Sequence, residues 1–128
     1  MLGQNGDLYY NTARKICKSI LETNFKIRSA SICQDDGVII CSDHRKDDES
    51  LSSHHEGQAS LIQAASRFFN RKLSEKNFGK TMFTLTLHEK VARIAIPLNG
   101  KYVILISADT DTNHTELIKN YIYPVLSQ

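Results

Sequence analysis

The chain has 128 residues, 41% hydrophobic and 23% charged, a composition that supports one self-sufficient globular core and excludes a disordered chain or two ordinary domains. With 16 Lys and Arg against 14 Asp and Glu the net charge is +2, with no cationic stripe, which argues against nucleic acid as a partner. No apolar run reaches the roughly 20 residues of a membrane span, and Gln4, Asn5, Gly6 and Asp7 interrupt any signal-type segment, so the expectation is one cytoplasmic domain over residues 1–128 without direct membrane insertion.

Residues 7–23 place Tyr9, Ala13, Ile16, Cys17, Ile20 and Leu21 at spacings of three and four, which predicts an amphipathic helix. Residues 26–33 turn strand-like, and Gln34-Asp35-Asp36-Gly37 is a turn signal before the apolar run Val38-Ile39-Ile40-Cys41, so the two runs form a hairpin. After a polar stretch, Asp47, Asp48 and Ser50 offer N-caps to a long helix reaching about residue 73. Asn77-Phe78-Gly79 breaks the helical pattern. Residues 80–88 then alternate as a strand, with Phe83, Leu85 and Leu87 on one face and Met82, Thr84, Thr86 and His88 on the other.

Residues 91–96 form the next strand, which closes at Pro97, and Asn99-Gly100 predicts a type I′ hairpin turn. Tyr102-Val103-Ile104-Leu105-Ile106 is apolar throughout, as expected of a central strand covered on both faces. A last helix follows caps at residues 109–113 and turns Leu117, Ile118, Tyr121, Ile122 and Val125 inward, with Pro124 kinking or fraying its end. The order is α-β-β-α-β-β-β-α, an α/β chain of the α+β kind: a five-stranded antiparallel sheet with helices on both faces.

The residues for chemistry do not assemble. There is no phosphate-binding glycine loop. His54 and His55 are neighbours and point about 100° apart on a helix, unlike chelating i, i+4 pairs. Asp109-Thr110-Asp111-Thr112-Asn113 begins like a calcium loop, but His114 stands where glycine is needed and Asn120 where a bidentate Glu is needed. Cys17, Cys33 and Cys41 lack metal spacing and read as buried free thiols of a reducing compartment. The chain is therefore read as a non-enzyme with no catalytic residue, metal or cofactor.

Surfaces carry the positive signals. If the hairpin and the meander join through their inner strands, residues 80–88 become a long, apolar, proline-free edge, which stays soluble when covered or paired. A second copy related by a two-fold axis would pair it. The long helix is also apolar over more than one stripe, with Ala59, Leu61, Ile62, Ala64, Ala65, Phe68 and Phe69, leaving a second stripe for a partner chain.

The element order, the hairpin through Asp36-Gly37-Val38-Ile39-Ile40-Cys41-Ser42, the polar run into a long Ala-containing helix, and Ala108-Asp109 before the last helix together resemble the Roadblock/dynein light chain family over nearly the whole chain. That family carries a D-x-x-G-x-x-I-x-S hairpin, which residues 36–42 match loosely. His54-His55 and Gln58 on the long helix, and Pro124 within the last one, depart from its pattern. The resemblance implies a roadblock/longin-like sheet and pairing with itself or a paralogous roadblock chain through the crossover helix and third strand. It further implies a dimeric adaptor or scaffold for a small Ras-like GTPase or a larger signalling or motor complex. On this chain the implied dimer positions are Leu61, Ala65, Phe68, Phe69, Met82, Phe83, Thr84 and Thr86, with His55, Gln58 and Arg67 as candidates for GTPase contact. A longin-like trafficking module and a PAS- or profilin-like ligand sensor are the alternatives.

Overall fold

The computed structural model describes residues 9–45, 62–63, 65–66, 75–99 and 101–127. The first apolar stripe forms helix α1, Tyr10–Thr23, which buries Ala13, Ile16, Cys17, Ile20 and Leu21. It starts three residues later than the periodicity suggests, with Tyr9 as an N-cap that makes no side-chain hydrogen bond. Strands β1, Ile27–Gln34, and β2, Ile39–His44, follow as the expected hairpin. Gly37 takes a φ of 87° in the turn, and a Cβ there would lie 3.3 Å from Ile62 of the crossover helix, so glycine serves both the backbone and the close approach.

Four crossover residues, 62–63 and 65–66, are helical. Beyond them lie a short helix α2, Glu75–Phe78, and strands β3, Thr84–Leu87, β4, Ala92–Pro97, and β5, Tyr102–Ala108. The strands order β2-β1-β5-β4-β3, antiparallel at every junction, so β5 lies beside β1 and the sheet ends at β2 and β3. All of Tyr102 to Ile106 is buried, as a central strand covered on both faces requires.

Alternation along the strands sorts the core into two layers. Ile27, Ile32, Ile94, Ile96, Ile104 and Ile106 face α1 and the C-terminal helical segment, which contributes Leu117, Ile118, Ile122 and Val125. Cys33, Ala95, Val103 and Leu105 face the crossover helix and enclose Ala65. A fully buried isoleucine contributes about 1.5–3 kcal/mol, and the first layer holds six of them on the strands. At one end of the second face the sheet turns polar: Ser31 Oγ lies 2.7 Å from Ser42 Oγ, and the hydroxyls of Ser29 and Ser107 also bond. Those bonds let Ser31 sit buried without an unsatisfied group.

Three elements differ from their sequence patterns. β2 continues through Ser42, Asp43 and His44 into what reads as a polar loop, because an edge strand tolerates polar side chains once its backbone is paired with Ser31, Ala30 and Ser29. β3 occupies four residues of the nine in the alternating run. Beyond the Thr84–Ala95 pair its ladder would reach Pro97, which has no N–H to donate. The last helix begins at Asn113, whose Oδ1 accepts the Glu116 N–H at 3.1 Å, and runs as α3, His114–Leu117, a π turn, Ile118–Ile122, and α4, Tyr123–Leu126. Pro124 does not fray it, since the helix runs on to Leu126; the Tyr123 N–H reaches back to the Ile118 carbonyl, and the wider turn makes room for the ring. Tyr121, expected inward, is 37% exposed.

Candidate dimerisation edge

Strand β3 pairs with β4 on one side, and among the described residues no strand pairs with its other side. Its side chains divide between the two faces. Thr84 and Thr86 lie opposite Ala95 and Arg93 on the crossover-helix side, whereas Leu85 and Leu87 lie opposite Ile94 and Ala92 on the α1 side. Met82, Leu85 and Leu87 are 67%, 37% and 61% exposed, an apolar border beside an open row of backbone groups. The short helix α2 adds the exposed Phe78 just upstream. Gly79, at φ 85°, closes that helix by donating its N–H to the Glu75 carbonyl at 2.8 Å.

The residues singled out from the sequence fall into three groups. Met82, Thr84 and Thr86 occupy the edge and face the crossover-helix side or solvent. Phe83 is half-buried and packs on the protomer's own α1-side core, and Ala65 is wholly buried against Ala95, Val103 and Leu105 of its own sheet. Leu61, Phe68, Phe69, His55, Gln58 and Arg67 lie outside the described residues. Leu85 and Leu87 join the border by exposure, a property that alternation alone does not reveal, because the same pattern fits a strand covered by a helix.

Four residues of ladder give few hydrogen bonds, each worth about 0.5–1.5 kcal/mol net, so the exposed Met82, Leu85 and Leu87 must supply much of any binding energy. At the far end of the molecule, Lys18, Phe25, Arg28, Asp43, His44 and Arg45 line part of an open groove of about 470 Å³. Two of its cations, Arg28 and Arg45, are engaged within the fold. Arg28 grips Asp109 with Nε–Oδ1 at 2.7 Å and Nη2–Oδ2 at 3.2 Å, and Arg45 donates to three backbone carbonyls. Among the described residues no three His, Cys, Asp or Glu side chains converge as metal ligands, and no described helix is long and apolar enough to cross a membrane.

The sequence matches no protein-family model and no curated protein. The backbone is similar to solved structures. An MglB solved with a tetrameric arrangement superposes with a TM-score of 0.74 at 11% identity, over 91% of this chain and 84% of that one. The chain has the roadblock fold. The Roadblock/LC7 domain from Streptomyces avermitilis gives a TM-score of 0.69 at 9% identity, over 88% and 91% of the two chains. Myxococcus xanthus MglB gives 0.72 at 11%, over 99% and 88%. At these identities the roadblock architecture is shared while side chains are not, so the residues at the roadblock edge of this chain rest on its own geometry.

Proposed function

We propose that this chain is a non-catalytic roadblock-domain regulator that pairs with a second roadblock chain along β3 and the crossover helix and docks a small Ras-like GTPase. The observation that carries the reading is a roadblock fold spanning nearly the whole chain, joined to an apolar β3 edge that no described strand pairs. MglB and MglC, both similar in fold, make regulation of a GTPase system the best-supported role. Leu61, Phe68, Phe69, Met82, Thr84 and Thr86 form the proposed interface, with Leu85 and Leu87 added at its border. Ala65 and Phe83 set the seats of the helix and strand from inside the protomer. A symmetric interface would join two five-stranded sheets edge to edge and place the two crossover helices side by side.

Small GTPases loaded with GDP or with a non-hydrolysable GTP analogue, immobilised and presented with the purified chain, test the partner. The expected result is saturable micromolar binding to at least one GTPase, favouring one nucleotide state. A His55→Ala, Gln58→Ala, Arg67→Ala variant is expected to weaken it about tenfold, as loss of a few interface contacts worth about 1.4 kcal/mol would. Absence of binding across the small GTPases of the source organism contradicts the role.

A further inference from the structure

Cys17 reaches from the buried face of α1 and Cys41 from β2, and their sulfurs lie 3.3 Å apart. Cys33 and Cys41 flank one hairpin turn. The ladder separates those two. A register shift after Ile32 sets Cys41 opposite Ile32 and Cys33 opposite Ile39, so Cys33 joins the crossover-helix layer while Cys41 turns to α1.

We propose that Cys17 and Cys41 form a redox modification site, closed to an intramolecular disulfide by a hydroperoxide and reopened by a dithiol. Closure would bring sulfurs at 3.3 Å to a bond of about 2.05 Å. The surroundings divide the labour between the thiols. The hydrogen bond from Cys17, the Ile32 backbone and the Arg14 charge favour the Cys41 thiolate against burial and Asp43, whereas the same hydrogen bond and burial push the Cys17 thiol up. Cys41 is therefore the attacking sulfur. It lies on the outermost strand and is 9% exposed, against 1% for Cys17, so access is from the β2 rim and suits an oxidant little larger than water.

The chemistry balances. The Cys41 thiolate attacks one oxygen of hydrogen peroxide, the O–O bond breaks, and hydroxide leaves as water after taking a proton, giving Cys41 sulfenic acid. The Cys17 sulfur then attacks the sulfenic sulfur, the S–O bond breaks, and the departing hydroxide takes the Cys17 proton to form a second water. Two thiols lose two electrons and one peroxide gains them. The bond would pin α1 to the sheet margin opposite β3, across 24 positions of sequence.

Folded protein is treated with hydrogen peroxide, quenched with N-ethylmaleimide and mapped by peptide mass spectrometry. The expected product lacks two hydrogens, carries a Cys17–Cys41 cross-link, keeps Cys33 reduced, melts at higher temperature and reverts with dithiothreitol. Cys33→Ser should cross-link like the parent. Cys17→Ser, oxidised while folded and then unfolded in denaturant with dimedone, should yield a Cys41 sulfenic acid adduct. Oxidation of Cys33 at a comparable rate, cross-links solely between molecules, or no Cys41 adduct in that unfolded Cys17→Ser sample overturns the proposal. Should Cys17→Ser not fold, the peptide map of Cys33→Ser decides alone.

Discussion

Arg45 shows how one side chain joins three elements. Its Nη2 donates to the carbonyls of Leu21 and Asn24 at 2.7 Å each, and its Nε to that of Ile27 at 2.6 Å. It therefore satisfies the C-terminal end of α1, where no basic residue lies in the last turn, and ties that end to β1 from just beyond β2. Arg45→Ala is expected to destabilise the fold by about 2–3 kcal/mol in urea titration, since hydrogen bonds to charged groups are worth about 1.5–3 kcal/mol and the carbonyls regain only partial hydration. Arg45→Lys should recover less than half, because an ammonium lacks the guanidinium fork. Nothing in the sequence marks this residue: its partners are backbone carbonyls 18, 21 and 24 positions away. Cys33 was more legible. Its sequence context marks a buried thiol, and burial pushes it up to about 12, consistent with its place beneath the crossover helix.

At the level of elements, periodicity found every described strand and both flanking helices, because each apolar stripe has one sheet face to cover. It misjudged ends. Ser42, Asp43 and His44 extend β2 because pairing with β1, not hydrophobicity, decides an edge, and β3 is short because Pro97 limits its neighbour's ladder. Pro124 is the third case, where a wider turn absorbs the ring and the helix continues. Pro124→Ala should let residues 118–126 relax to regular α-helix and raise stability by about 1 kcal/mol. The penalty of roughly 3 kcal/mol for interior proline is already partly relieved by the π turn, and the freer unfolded chain opposes the gain by up to about 1 kcal/mol. Urea unfolding with unchanged m-value would measure it. A loss of stability would mean that packing of Ile118, Ile122 and Val125, not the ring, holds the π turn.

Across the whole molecule the two sheet margins have different characters. The β2 margin is backed by α1 and holds the thiol pair, whereas the β3 margin exposes Met82, Leu85 and Leu87 around a ladder that no described strand pairs. The sequence disclosed which strand would be an edge, since hairpin connectivity and the doubly apolar β5 leave few arrangements. It did not disclose which side chains on that edge are spare. Phe83 and Met82 look equally available in the alternation, yet Phe83 is anchored in the protomer and Met82 is open. Substitution at Phe83 would therefore confound folding with assembly, and Met82 together with Thr86 is the sharper probe. Sedimentation equilibrium of the wild type and of Met82→Asp, Thr86→Lys at tens of micromolar tests the account most directly. The account predicts a dimer or a larger even-numbered assembly for the wild type and a folded monomer, with circular dichroism unchanged, for the double variant; a wild type that sediments as a stable monomer would contradict it.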